Sequence, residues 1–436
     1  MAYPITVCNK TYETCAHFLS YIENRINKCK NLNIKQNYWG DLFKNLIKCN
    51  ETIVKPVIKR LIDTGININL QNNKGFTPLM IASRYSNSCN NQEIVKLLID
   101  SGADINLQNE KGRTALILSS KYANEDSSIE TVKLLIDAGA NLNIQDVSCL
   151  TALMWASCRS SSSSSTETVK LLVESGANLD IKDNRGYTAL MTAATYSNKS
   201  SSLETVKLLI DSGANIEAKN IDWYTPLMLA IINSDKSSSL ETVKLLIDSG
   251  ADIEAKNVFG STPLIVATIS SNEYGSLETV KLLIDSGANI EAKNKSGLTA
   301  LTYAIKKTCP KENGSSFLKT LKLLIDFGAD VNSKINDEHD TPLLIASKGL
   351  RFGRNASSSS SLEAVKLLID SGADINIKNN SGYTCLDYLV KYGKNLNIVK
   401  YKMNTKINTN ATLFWCAIRI NKKTSRNDII KFIKVV

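Results

Sequence analysis

Histidine is almost missing from this chain: 436 residues hold two, His17 and His339. That removes the commonest general base and metal ligand. The rest of a catalytic vocabulary is missing with it. There is no glycine-rich phosphate loop, no nucleophile elbow, and no clustering of His, Asp and Glu at metal-ligand spacing. Ten cysteines are scattered and never form C-x-x-C, which argues against a zinc ribbon or a disulfide scaffold and for a reducing, intracellular compartment. No apolar run reaches transmembrane length, and residues 1–30 hold none that reads as a signal peptide. The expectation is a non-enzymatic cytoplasmic protein with no cofactor, no metal and no membrane partner.

What the chain has instead is the same text written many times. "SSSLETVKLLIDSGANIEAKN" runs from Ser200 to Asn220, and near copies run from Ser237 to Asn257, Gly275 to Asn294 and Ser359 to Asn379. A Thr opens a "T-[PA]-L" triplet at Thr77, Thr114, Thr151, Thr188, Thr225, Thr262, Thr299 and Thr341, with the variant "TCL" at Thr384. Subtraction gives steps of 37 residues from Thr77 to Thr299, then 42 and 43. A fixed period in this range means stacked repeats rather than one globular core.

One repeat, Asn257 to Asn294, can be read physically. Thr262-Pro263-Leu264 is a helix start, with a hydroxyl N-cap followed by proline where its missing N–H costs nothing. Glu278 to Asp285 carries Val280, Leu282, Leu283 and Ile284 as a second apolar helix. Gly287 stands just past its end, the place for an αL residue. "ANIEAKN" then extends and "VFG" turns the chain back. The unit is helix, turn, helix, hairpin.

This unit resembles the ankyrin repeat. The matching motifs are "TPLMIA" (Thr77–Ala82), "TPLMLA" (Thr225–Ala230), "EIVKLLIDSGADINLQN" (Glu93–Asn109) and the "G-x-T" before each first helix, recurring nine times between about Leu61 and Tyr401. The resemblance implies an all-α-dominated repeat solenoid of helix-turn-helix units with short β-hairpin tips, a monomeric scaffold for protein partners. The Asn-, Lys-, Ile- and Ser-rich style is also similar to ankyrin proteins of giant DNA viruses, which would place it in a host cytoplasm; composition of that kind mostly follows genome base bias. Two departures stand out. The period exceeds the usual value of about 33, and the excess lies in a serine-rich turn between the two helices. The histidine of the family's T-P-L-H is replaced by Met80, Ile117, Met154, Met191, Met228, Ile265, Thr302, Leu344 and Asp387.

The serine runs then have a local reading. Ser127-x-x-Glu130, Ser164-x-x-Glu167, Ser201-x-x-Glu204, Ser238-x-x-Glu241 and Ser360-x-x-Glu363 have the spacing of capping boxes, and the other serines are filler. Phosphates near a helix N-terminus would be tolerated electrostatically, so modification stays open.

The expected organisation is an N-terminal helical segment over 1–37, with a helix from Thr11 to Lys30. A degenerate capping repeat follows over 38–75, with a helix opened by Lys55-Pro56. The array occupies 76–401 in one row, and a basic degenerate cap covers 402–436. The net charge is +10, but it belongs to the ends. Residues 1–65 hold ten basic and five acidic residues, and 388–436 hold eleven basic and one acidic, Asp428. The array between them is net negative, which disfavours nucleic acid as its partner. Lys394, Lys400, Lys402, Lys406, Arg419, Lys422, Lys423 and Arg426 leave open an alternative in which the C-terminal cap binds nucleic acid or a phospho-ligand. No F-box-like "LP" segment closes the chain.

Binding remains, and the chain carries its own control for where. The second helices are near copies, so they are framework; the hairpin tips differ. Outer tips are polar ("NKGF", Asn73–Phe76; "EKGR", Glu110–Arg113), whereas central tips are apolar. Val147, Leu150, Tyr187, Ile221, Trp223, Tyr224, Val258 and Phe259 fall on four consecutive repeats, joined by Arg185. At about 10 Å between stacked units, they would make a stripe about 30 Å long. These nine are the candidate partner-binding residues, with Leu150 and Tyr187 expected half-buried. The tip glycine is also replaced by Cys149, Trp223 and His339; a positive φ there would cost about 1–2 kcal/mol each.

Overall fold

The computed structural model describes residues 5–7, 10–12, 43, 51–63, 65–87, 92–123, 126–158, 163–196, 203–233, 239–270, 276–308, 314–335, 338–349 and 359–392. By contact the chain forms two compact units, Met1–Ile221 and Asp222–Val436.

Unit 1 begins with a short antiparallel hairpin, β1 (Ile5–Val7) and β2 (Lys10–Tyr12), in register Ile5 to Tyr12. Thr11 and Tyr12 are therefore strand, where the sequence suggested the start of a helix. The rest of that helix, and its neighbour over 39–48 apart from buried Phe43, lie outside the described residues. Helix α1 (Glu51–Asp63) follows, then α2 (Pro78–Arg84), α3 (Gln92–Asp100), α4 (Ala115–Lys121), α5 (Ile129–Asp137), α6 (Ala152–Cys158), α7 (Ser163–Glu174), α8 (Ala189–Tyr196) and α9 (Leu203–Asp211). Unit 2 continues with α10 (Pro226–Ile232), α11 (Ser239–Asp248), α12 (Pro263–Ser270), α13 (Ser276–Asp285), α14 (Ala300–Thr308), α15 (Gly314–Asp326), α16 (Pro342–Gly349), α17 (Ser359–Asp370) and α18 (Cys385–Tyr392). α1 starts earlier than its Lys55-Pro56 pair suggests, so Pro56 lies inside it.

Within each unit the helices form two layers. Each first helix packs on the next first helix, each second helix on the next second helix, and the two of a pair on one another. First helices are enclosed almost all round: in α2, Leu79, Met80, Ile81, Ala82 and Ser83 are all buried. Second helices bury one stripe, such as Thr131, Val132 and Leu135 in α5, and turn their lysines outward. This division explains the missing histidine. Met80, Ile117, Met154, Met191, Met228, Ile265 and Leu344 are buried in the first-helix layer, where burial of a large apolar side chain is worth about 1.5–3 kcal/mol. Asp387 instead accepts from the Thr384 backbone N–H and hydroxyl.

The helix ends are made as the text of the repeat implies. Threonine hydroxyls accept backbone N–H groups three residues on: Thr77 from Met80, Thr114 from Ile117, Thr188 from Met191, Thr225 from Met228, Thr341 from Leu344. Thr262 departs from this, its buried hydroxyl oxygen having no hydrogen-bond partner. Beyond the second helices, Gly65, Gly102, Gly139, Gly176, Gly213, Gly250, Gly287, Gly328 and Gly372 all have φ between +78° and +93°.

The serine caps need correction. Ser128, not Ser127, caps α5, accepting from the Thr131 backbone N–H at 3.3 Å. Ser127 is buried and donates to the Ser83 carbonyl of the preceding first helix at 2.8 Å. Ser164 and Ser360 lie inside the first turns of α7 and α17, because those helices begin further upstream than the Ser-x-x-Glu spacing indicates. Ser201 and Ser238 lie outside the described residues.

Two substitutions separate the cap from the core. Thr225→Ala is expected to destabilise by about 1 kcal/mol through the lost cap, and Leu246→Ala, fully buried in α11, by about 2–5 kcal/mol. Urea unfolding followed by circular dichroism checks both. Equal losses would mean that capping, not the inter-helix core, governs stability.

Candidate functional site

The tips are tight turns built on one side-chain oxygen. Asn72, Asn109, Asp146, Asp183, Asn257 and Asn294 each accept two backbone N–H groups, from the residues two and four further on. Asp146 Oδ1, for example, accepts from Ser148 at 2.9 Å and Leu150 at 3.1 Å. The residue after this Asn or Asp donates its N–H to the preceding tip: Val147 to the Lys111 carbonyl at 3.0 Å and Ile221 to Arg185 at 3.1 Å in unit 1, Val258 to Asp222 at 3.1 Å in unit 2. Among the described residues the tips contain no strand.

This backbone decides which side chains project. The exposed side chains come from the three places after the Asn or Asp, and the fourth, just before Thr, packs inward. Val147 (66% exposed), Ile221 (63%), Trp223 (53%) and Phe259 (61%) occupy the outer places. Leu150, Tyr187 and Tyr224 occupy the fourth and are half-buried, as is Val258. Tyr187 is held from two sides: Asn220 hydrogen-bonds its side chain, and the Arg185 guanidinium lies 4.8 Å over its ring. Burial pushes its phenol pKa up, against the pull of the Arg185 cation. Unit 1 thus presents Val147, Ile221 and exposed Arg185, and unit 2 presents Trp223 and Phe259.

The third outer place needs a left-handed backbone. Gly75, Gly112, Gly186, Gly260 and Gly297 hold it with φ of +68° to +79°. A Cβ at Gly75 would meet the Glu110 backbone nitrogen at 2.7 Å. Cys149, Trp223 and His339 adopt the same conformation with φ of 61°, 60° and 52°, although they carry a side chain. Each bears the expected strain.

A second constellation was not picked out in the sequence. In unit 1 the Arg84 guanidinium lies 4.4 Å over the Tyr122 ring and 5.0 Å over Tyr85. The Lys121 ammonium lies 3.6 Å from the centroid of the Trp155 ring, and the Arg113 guanidinium lies 4.9 Å from the centroid of the same ring. Asp146 Oδ2 accepts from Arg113 Nε at 3.2 Å and Trp155 Nε1 at 3.1 Å, with its side chain fully buried. In unit 2, Lys348 lies over Tyr388 at 5.2 Å and bonds Glu338 at 2.8 Å and Asp340 at 2.6 Å. Burial opposes the Lys348 charge, but the Asp340 and Glu338 hydrogen bonds outweigh it and raise its pKa above the usual lysine range. For Lys121–Trp155 and Lys348–Tyr388 the signal was present in the text: a lysine seven residues after one repeat's Thr faces an aromatic four after the next Thr.

An apolar cavity lined by Phe43, Ile58, Leu61, Phe76, Ile81 and Leu98 lies beside α1, with Asn67 its one polar neighbour. It offers no titratable group. Among the described residues no group of three or more His, Cys, Asp or Glu could hold a metal, and no helix is long and apolar enough to cross a membrane.

Stacked helix pairs joined through hydrogen-bonded tips define a repeat array whose variable surface is the tips and the ends of the first helices. Sequence models described as ankyrin repeats match in overlapping windows from residues 7–109 to 272–355, and a further one matches 355–401. The chain belongs to the ankyrin-repeat family, whose arrays are generally protein–protein interaction scaffolds and typically non-enzymatic. A similar solved structure is the ankyrin repeat domain of Bcl-3, described as a unique member of the IkappaB protein family. It is 27% identical over 56% of this chain and 97% of that chain, with a TM-score of 0.45. No curated protein matches the chain.

Relief of tip strain is measurable. Trp223→Gly is expected to raise stability by about 1 kcal/mol, the excess αL cost of a non-glycine residue. Gly75→Ala should destabilise more than Gly176→Ala, since a Cβ at Gly176 meets open space. Thermal unfolding reports both. A loss of stability in Trp223→Gly would show that the indole is held by packing that outweighs the strain.

Proposed function

We propose that this chain is a monomeric scaffold that binds a protein partner through apolar side chains at its tips. Trp223 is the observation that carries the reading. It combines a left-handed backbone, φ 60°, with a side chain that is 53% exposed, so a bulky aromatic is displayed at a place where other repeats have glycine. Phe259 in the same unit, and Val147 and Ile221 in unit 1, give further exposed anchors. Tryptophan and other aromatic residues supply most hot-spot energy at interfaces, and their framing contacts mainly exclude water. Half-buried Leu150, Tyr187 and Tyr224 at the fourth place and Val258 at the first border the projecting residues, and Arg185 adds a rim charge.

Truncation of each anchor is expected to cost about 2 kcal/mol of binding, roughly thirtyfold in affinity. The test compares Trp223→Ala with Phe259→Ala against Lys422→Ala with Lys423→Ala, in affinity capture from the native cell with partners identified by mass spectrometry. Loss of partners in the tip variant alone supports the reading. Partners that survive the tip change and vanish with the lysine change would replace it with binding through the basic C-terminal segment, which lies outside the described residues. That second mode would also weaken steeply as salt rises, whereas an aromatic interface would respond little.

A further inference from the structure

Seven residues after the repeat's Thr, the end of a first helix meets its own tip. In the repeat of Lys348 this place lies against the residues three and one before Thr, Glu338 at 2.8 Å and Asp340 at 2.6 Å, and against Tyr388, four after the next Thr. The three preceding repeats of unit 2 hold the same place with Ile232, Ile269 and Lys306. Ile232 closes α10 at 39% exposure, Ile269 is half-buried in α12, and Lys306 is exposed on α14. Phe259, the exposed tip residue, stands three before Thr262 and so shares its corner with Ile269. Tyr303, four after Thr299, supplies the ring of that corner, and its hydroxyl accepts from Asn294 at 2.9 Å.

This makes a ladder of two apolar rungs and one basic rung. α10, α12 and α14 pack side by side, so the rungs follow one another at about 10 Å, the spacing of packed helices. The charge of the bordering tips changes along the ladder. Asp222 stands three before Thr225, at the first rung. At the third, Ser296 and Leu298 hold the places where Lys348 has its two carboxylates, and exposed Lys295 stands on the same tip.

A segment that uses all three rungs must present side chains to one side at the spacing of the packed helices. In an extended strand about 10 Å is three residues, an odd number that turns successive contacts to opposite faces. In an α-helix it is seven residues, about 10.5 Å, which return to nearly the same face. We propose that this corner of unit 2 binds an amphipathic helix of the partner. Apolar residues in two successive heptads meet Ile232, Phe259 and Ile269, and an acidic residue in the next heptad meets Lys306 and Lys295. The inference rests on the reading of the exposed tips as the contact surface. It extends that surface from Phe259 onto the first-helix ends and gives the bound helix a direction, its acidic end toward α14.

The test uses the full chain and fluorescence anisotropy with a labelled synthetic helix that carries leucine in two successive heptads and glutamate in the third. A second helix has lysine in place of that glutamate. The glutamate helix is expected to bind about fivefold more tightly, the upper range for one exposed ion pair. Lys306→Glu should reverse the order of the two helices, a readout that loosening of the fold would not give. Ile232→Gln, at an exposed side chain, should weaken both helices alike. Equal affinity of the two helices, an order unchanged in Lys306→Glu, or full affinity in Ile232→Gln overturns the proposal, as does failure of both helices to bind. The tip reading is judged separately, by whether Trp223→Ala with Phe259→Ala removes the captured partners. Partners lost there, with no effect of the charge exchange, would keep the tips as the contact surface and overturn the helix.

Discussion

Among the described residues no helix pair has an inside of its own. A first helix such as α10 buries Pro226, Leu227, Met228, Leu229, Ala230 and Ile231 at once, which a single partner helix could not cover. The apolar surface is hidden only because another pair stands beside it. Stability is therefore a sum of repeat terms and neighbour terms. The tips follow the same logic at the backbone level. One Asn or Asp oxygen closes each turn, and the turn's carbonyl then receives an N–H from the next. Substitutions at the first two places after the Asn or Asp leave both arrangements intact, whereas the third needs a left-handed backbone.

That arrangement explains how much could be read from the text. Thr caps, Pro at the first helical position and Gly past the second helix are local, and they stand where the periodic spacing places them. Burial at Met80 or Met191 follows from helical spacing alone. The half-burial of Leu150 and Tyr187 also follows, because the place before Thr is fixed by the turn. What failed was register at the serine turns. Adjacent serines are equivalent as text, but Ser128 reaches the Thr131 N–H while Ser127 is taken by the Ser83 carbonyl of another repeat. The cation–ring row escaped for a related reason. Lys121 and Trp155 are distant in sequence, and their contact exists only because successive first helices lie side by side.

The proposed contact lies where the repeat departs from its own pattern. Trp223 puts a bulky side chain on a backbone conformation that other repeats give to glycine, and it is displayed rather than buried.

The central claim is that the exposed aromatic tip is the contact surface, and side-chain footprinting of a captured complex tests it most directly. Trp223 and Phe259 are exposed in the free chain and reactive toward hydroxyl radicals. The account predicts that partner binding slows their oxidation several-fold, while the buried Met191 and Met228 keep their low rates. Unchanged oxidation of Trp223 and Phe259 in a saturated complex would contradict it.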